Sequence, residues 1–167
     1  MSLLKKEQEE QFNNLYSHYV KLMLWEAERI LGNREDAEDV VQLAFVKILK
    51  FFSKIDKEIG PRTAKLFMVI TRNTAIDIKR RRKETVELPD NILSGKNEID
   101  AFIDKEAFYQ DISKLRYELR DVIYLRYIEG YDVKTISKIL SVSLITVYKR
   151  LNQAKKELKK IMEEVDI

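Results

Sequence analysis

The sequence of 167 residues contains no cysteine, only four glycines and two prolines, and a single histidine. The absence of cysteine excludes a disulfide-stapled fold, a cysteine-ligated zinc site, an iron–sulfur cluster and a thiol nucleophile. One histidine, His18, argues against a histidine-based metal site or catalytic triad. A β-sandwich or barrel needs a turn about every 8–12 residues. The scarcity of glycine and proline therefore favours long helices.

Long apolar runs are also missing. No stretch approaches the roughly 18 consecutive apolar residues of a membrane span, and the first residues, MSLLKKEQEE, are too polar for a secretory signal peptide. The net charge is only +3, from 31 basic and 28 acidic residues, so any electrostatic signal lies in how the charges are distributed. The sequence predicts a cytoplasmic protein that does not insert into a membrane.

Apolar residues recur at intervals of three and four in segments that are separated by glycine or proline, which predicts an all-α fold. Gly32 is placed to end the first helix, and Asn33 to cap the second. Apolar side chains of this spacing are expected in helical cores. Tyr124, Tyr127 and Tyr131 are expected mostly in the core of the second domain, Trp25 in a core or an interface, and His18 at the surface or its boundary. Helices are expected at about 7–31, 34–52, 62–83, 104–115, 117–129, 132–140 and 144–164.

Residues 87–103 interrupt this pattern. They contain Pro89 and Gly95 and carry more acidic than basic side chains, which is typical of a linker. The sequence therefore predicts two small helical domains, residues 1–86 and 104–167, that are joined by an acidic linker.

Residues 133–151 have the pattern of a helix-turn-helix, in which residues 141–143 form the turn. Ser137 is a small residue where the two helices cross, and Ser143 is a candidate N-cap of the second helix. Apolar residues are placed to lock the crossing: Ile136, Leu140, Val142, Val147 and Leu151. Side chains suited to base edges and phosphates in a major groove follow on the second helix: Ser143, Thr146, Lys149, Arg150 and Gln153. An ordinary helical hairpin is the alternative.

Charge is concentrated in three helical segments. Basic residues cluster at 62–83 and at 149–160, and acidic residues at the start of the second helix, where Glu35, Asp36, Glu38 and Asp39 stand close together. A single basic run is often an ordinary solvated helix face, but two of them in separate modules favour a polyanionic partner. The polar groups in the first basic segment could hydrogen-bond exposed bases while its arginines hold phosphates.

Taken together, these segments resemble the extracytoplasmic-function group of bacterial sigma factors, over nearly the whole chain. The resemblance is carried by residues 32–45 (GNREDAEDVVQLAF), by residues 70–81 (ITRNTAIDIKRR) and by residues 125–130 (LRYIEG) with the helix-turn-helix that follows. The sequence departs from the usual pattern at Leu66, where many relatives have Trp, and at Ser137 and Gln153, where Ala and Arg are usual.

The resemblance implies a role for each of the three segments. The first would bind core RNA polymerase through Asp36, Glu38, Asp39, Gln42 and Phe45. The second would melt and read the -10 promoter element through Arg72, Asn73, Asp77, Arg80 and Arg81. The third would read the -35 element through Ser143, Thr146, Lys149, Arg150 and Gln153. The acidic linker would follow the RNA path of the polymerase.

The function implied is that of an alternative sigma factor, which binds core RNA polymerase and promoter DNA and directs promoter recognition, DNA melting and transcription initiation. No nucleophile or phosphate loop accompanies the carboxylates, so neither an enzyme nor a cofactor or metal site is expected. The free protein is expected to be monomeric, with an anti-sigma factor as a further possible partner.

Two other classes stay open on the residues alone. An autonomous helix-turn-helix regulator would bind a promoter tightly by itself, usually as a dimer on two half-sites. A helical module that sequesters other factors would show no DNA affinity beyond a salt-sensitive background.

Overall fold

The computed structural model describes residues 5–82 and 106–165, except for the side chains of residues 106–109 and 165, and every regular element in these ranges is a helix or helical turn. The chain divides into two compact units, residues 1–89 and 90–167. The division falls inside the predicted linker, residues 87–103, which lies outside the described residues. The all-α fold in two units is confirmed, and the domain bounds 1–86 and 104–167 stay a prediction.

The N-terminal unit consists of α1 (Lys6–Leu31), α2 (Arg34–Lys50) and α3 (Pro61–Arg81), with a 3-10 turn at Phe52–Lys54. Local signals set these bounds. Gly32 has a φ of 80°, in the left-handed region that favours glycine, and its N–H donates to the carbonyl of Glu28 at 2.8 Å, which ends α1. The Asn33 side chain accepts from the backbone N–H of Asp36 at 2.8 Å and begins α2. Both predicted caps are confirmed.

Each of these three helices packs against the other two. Phe67 of α3 lies between aromatic rings of the other helices, with centroid distances of 5.2 Å to Tyr19 and 6.0 Å to Phe45, both edge to face. The Tyr19 hydroxyl accepts from the Gly60 N–H at 2.8 Å and lies 3.1 Å from the Gly60 carbonyl, to which it donates. This pair of bonds ties α1 to the loop that begins α3.

The C-terminal unit consists of α4 (Glu106–Ser113), α5 (Tyr117–Ile123), α6 (Val133–Leu140) and α7 (Leu144–Val165). The single helix predicted at 117–129 is wrong in its second half, because residues 124–128 form a wider π turn. Periodicity cannot distinguish the two, since a π turn shifts the register by only one residue.

The helix-turn-helix is formed by α6 and α7, and the prediction is confirmed. Ser141 ends α6 in the left-handed region, with a φ of 56°. The Ser137 hydroxyl donates to the Val142 carbonyl at 2.6 Å, which holds the turn against α6. Ser143 Oγ accepts from the Thr146 backbone N–H at 3.1 Å and caps α7. The buried side chains that join the two helices include Ile136, Leu140, Val147, Leu151 and Ala154.

Several aromatic side chains test the predicted core. Tyr124 and Tyr131 are buried as expected, whereas Tyr127 is half exposed and has the Lys155 ammonium 5.6 Å from its ring centroid. Trp25 is also half exposed, with the Arg29 guanidinium 4.7 Å from its ring. Tyr127 and Trp25 therefore lie outside the core, each with a cation against one face of its ring. The other part of the prediction for Trp25, packing at an interface, stays a prediction. His18 is exposed, as expected.

None of the helices in residues 5–82 and 106–165 combines the length and apolar character needed to cross a bilayer.

Candidate functional site

The solvent side of α2 carries apolar side chains where a helix that packs on a core usually carries polar ones. Leu43 and Val46 are 47% and 49% exposed. They lie on one stripe with Asp39 and Gln42, at intervals of three and four residues, and Glu38 adjoins Gln42. We call Glu38, Asp39, Gln42, Leu43 and Val46 the α2 face. Exposed apolar groups rimmed by acids are typical of a protein-binding surface.

A groove of about 500 Å³ runs beside the α2 face, between α1 and α2. Phe45 lines it but is almost completely buried, with its ring centroid 4.7 Å from Tyr16 and 5.6 Å from Phe12. The structure therefore places Phe45, a predicted polymerase contact, in the wall of the groove. Leu43 and Val46 are the exposed apolar groups that sequence reasoning missed. The sequence did contain an indication of this exposure, because positions 43 and 46 do not belong to the stripe of α2 that is buried.

Asp36, another predicted polymerase contact, bridges the start of α2 to the end of α3. Its carboxylate accepts from the two terminal nitrogens of Arg82, at 2.7 and 3.1 Å, and from Asn33 Nδ2 at 2.7 Å. These bonds, first those from Arg82 and then that from Asn33, lower the pKa of Asp36 to about 2 from an ordinary 3.8. Asp36 is thus engaged within the unit, 46 residues away in sequence from its partner.

The Asp36 bridge predicts a pH-dependent stability. Because the folded pKa lies near 2 and the ordinary value is 3.8, the stabilisation is fully present above pH 3.8 and is lost as the pH falls towards 2. Asp36→Asn is expected to lower the melting temperature of the N-terminal unit at pH 7, and this difference should shrink across that window. Asp39→Asn, which removes an exposed carboxylate from the same helix, is the control. Equal melting temperatures for Asp36→Asn and wild type at pH 7 would contradict the prediction.

The five candidates for -10 recognition run from the interior of the unit to its surface. Arg72 is 1% exposed and Asn73 is buried, with Asn73 Nδ2 donating to the Val69 carbonyl at 2.8 Å. Asp77 is half-buried, and Arg80 and Arg81 are exposed. The structure therefore leaves Arg80, Arg81 and part of Asp77 accessible to a ligand. The assignment of all five to the promoter stays a prediction.

Arg72 belongs to a buried charged cluster that the sequence did not reveal. Glu26 of α1 is almost fully buried, and its carboxylate lies 3.4 Å from the Arg29 guanidinium. Burial raises the pKa of Glu26. The positive charges of Arg29 and, to a smaller extent, Arg72 act in the opposite direction and lower it. An acid within the apolar stripe of α1, three residues after Met23, was the only sequence signal. The cluster joins the interior of α1 to α3.

The outer side of the helix-turn-helix carries the five predicted -35 candidates, at the start and in the first half of α7, together with three exposed side chains that were not predicted. Ser143 and Thr146 hydroxyls bond to each other at 2.9 Å, and Gln153 Nε2 donates to Glu157 at 3.0 Å. Lys149 is exposed and Arg150 half-buried. Sequence reasoning missed three exposed side chains that surround Lys149: Ile145, Tyr148 and Asn152.

Two family models match the chain in order: Sigma-70 region 2 at residues 15–85, and Sigma-70 region 4 at residues 105–158. The ECF RNA polymerase sigma factor SigL of Mycobacterium tuberculosis is 28% identical over 159 residues, which cover 92% of this chain and 89% of the relative. The chain belongs to the extracytoplasmic-function group of the sigma-70 family. The resemblance of its motifs to that group is thereby confirmed.

This sigma factor is similar to others over comparable lengths. The ECF RNA polymerase sigma factor SigW of Bacillus subtilis is 26% identical over 178 residues, covering 97% of this chain and 94% of the relative. The solved sigma factor RpoE of Bartonella quintana, in complex with the anti-sigma factor NepR, covers 91% of this chain and 96% of that chain at 16% identity, with a TM-score of 0.40. The α2 face lies within region 2, as do the residues that line the groove apart from Phe12, and the helix-turn-helix lies within region 4.

Proposed function

We propose that this sigma factor joins core RNA polymerase through the α2 face and directs promoter recognition, DNA opening and transcription initiation. It acts as an initiation factor and catalyses no reaction itself. The observation that carries the proposal is that one chain holds both family regions, with an acidic and apolar exposed face in the first and basic surfaces in both. A factor that must bind a protein and DNA together needs surfaces of both kinds.

The chemistry of the α2 face defines its partner. Leu43 and Val46 offer apolar area at its centre, and Glu38 and Asp39 offer negative charge at its edge. The complementary surface carries apolar side chains flanked by lysine or arginine. We assign this complementary surface to core RNA polymerase, because membership of the sigma-70 family indicates that partner.

The basic surfaces define the DNA contacts. Arg80 and Arg81 are exposed in the last turn of α3, and Lys149, Lys155 and Lys156 are exposed along α7. Such side chains neutralise phosphates and release counterions, so binding should weaken as salt rises. We assign α3 to the opened -10 strand and α7 to the -35 duplex. Arg72 and Asn73 then support α3 from inside, and Asp77 with Arg80 faces the strand.

Location and regulation follow from this role. We propose that the protein is a monomer when free and acts in the cytoplasm, where core RNA polymerase works. An anti-sigma factor is a further proposed partner. If such a protein covered the α2 face, it would inhibit by direct competition with core polymerase.

Reconstituted transcription tests the proposal. Purified protein is added to core RNA polymerase of the host bacterium with a pool of genomic fragments, and the RNA 5′ ends are sequenced. We expect defined start sites that require both the protein and the core enzyme. Tight, dimeric promoter binding by the protein alone would instead support an autonomous regulator. Absence of both initiation and specific DNA binding would support a sequestering module.

A further inference from the structure

The first two turns of α7 expose three large apolar side chains to solvent: Leu144 is 46% exposed, and the other two are more exposed still. Ile145 is 67% exposed and Tyr148 is 56% exposed. The buried stripe of the same helix, which includes Val147, Leu151 and Ala154, points away from them into the unit. Ile145 and Tyr148 therefore lie mostly outside the core, and their exposure calls for a partner.

Ile145 and Tyr148 form a compact surface with two polar residues. The pairs 145/148, 145/149, 148/152 and 149/152 are each separated by three or four residues, so each of the four side chains has two of the others as neighbours on the helix. We call Ile145, Tyr148, Lys149 and Asn152 the recognition quartet. It combines two apolar groups, one cation and one amide, all of them exposed.

The charge around the recognition quartet favours DNA as its partner. Lys155 and Lys156 are exposed further along α7, and Lys134 and Lys138 are exposed on α6. A second copy of this chain would bring the same cations against them, which like-charge repulsion disfavours. The quartet also directly follows the turn of the helix-turn-helix, and this part of the second helix is the one that enters the major groove.

The major groove offers one apolar group, the C5 methyl of thymine, and apolar side chains contact it. Adenine, its pairing partner, offers N6 and N7, which an asparagine amide binds in a bidentate manner. The quartet thus contains both kinds of side chain that recognise an A·T pair, an apolar group for the thymine methyl and an amide for adenine. We propose that Ile145 and Tyr148 read thymine methyl groups in the -35 duplex while Asn152 reads adenine. The proposal rests on the function proposed above and names the base pairs that this sigma factor selects.

Substitution of thymine by deoxyuridine tests the proposal, because it removes the methyl group and keeps the base pairing. The -35 element is first selected from randomised duplexes with the assembled holoenzyme, and its thymines are then replaced by deoxyuridine. For wild type we expect binding to weaken about fourfold per contacted methyl, the effect of one buried methyl or methylene group. For Ile145→Ala and Tyr148→Ala we expect weaker binding to the thymine duplex and a smaller or absent further loss with deoxyuridine.

Met162→Ala is the matched control, since Met162 is an exposed apolar residue on the same helix, 53% accessible, about three turns beyond Asn152, the last residue of the quartet. This variant should keep the full deoxyuridine effect. Equal wild-type binding to both duplexes, a selected element without thymine, or an undiminished deoxyuridine effect in both quartet variants would overturn the proposal.

The same comparison with the free protein on duplex DNA separates this proposal from the proposed function. A deoxyuridine effect that depends on Ile145 or Tyr148 without any initiation would support the reading of methyl groups and contradict the initiation function. Initiation that is indifferent to the methyl groups would contradict the reading alone.

Discussion

Replacement of Glu38 and Asp39 by lysine is expected to abolish assembly of this sigma factor with core RNA polymerase. Both carboxylates lie at the exposed edge of the α2 face, beside Leu43 and Val46. A cation placed against a basic partner costs several kcal/mol, and a loss of only about 2 kcal/mol already weakens binding about 30-fold. Affinity is measured by titration of labelled sigma factor with core polymerase.

Asp36 is left unchanged in this experiment because its bond to Arg82 holds α2 to α3. The variant Glu163→Lys, Glu164→Lys is the control, since it reverses two exposed carboxylates at the end of α7. It should bind core polymerase as wild type does. Circular dichroism should give the same helical content for all three proteins. A Glu38→Lys, Asp39→Lys variant that binds core polymerase with wild-type affinity would remove the α2 face from the interface.

Replacement of Arg72 by alanine is expected to destabilise the N-terminal unit by roughly 3–5 kcal/mol, the usual cost of removing one partner from a buried charged cluster. Arg72 is 1% exposed, and its charge acts on the buried Glu26. A small domain has a total stability of about 5–15 kcal/mol, so the loss is large. Trp25, the only tryptophan of the chain, lies in α1. Its fluorescence during urea denaturation reports this unit.

Two further variants distinguish a structural Arg72 from one that contacts DNA. Arg80→Ala removes an exposed guanidinium from the same helix, so it should leave the Trp25 transition unchanged and weaken promoter opening. Arg72→Met combined with Glu26→Gln removes both charges and should recover part of the stability that Arg72→Met loses alone. The opposite result would be an Arg72→Ala protein whose free energy of unfolding is within about 0.5 kcal/mol of wild type but whose promoter opening is defective. It would indicate that Arg72 contacts DNA.

The sequence by itself determined the local structure and the division into units. Helix caps such as Gly32 and Asn33 act on the residues next to them, and the spacing of apolar residues reflects the pitch of one helix. Both signals are complete within a few residues, so they could be recognised without any tertiary contact. The family motifs were recognisable for the same reason, since each lies within one segment.

Only the tertiary structure decided which polar and aromatic side chains remain accessible. In α3, eight consecutive residues from Val69 to Ile76 are buried, and four of them are polar: Thr71, Arg72, Asn73 and Thr74. In α2, Phe45 is buried in the wall of the groove, while Leu43 and Val46 are about half exposed to solvent.

Two polar interactions join residues that are 46 positions apart in the sequence. They are the bridge from Asp36 to Arg82 and the cluster of Glu26 with Arg72. Periodicity describes a helix relative to its own axis, whereas accessibility depends on how much of that helix its neighbours cover. That coverage is a property of the packed unit, and no single segment contains it.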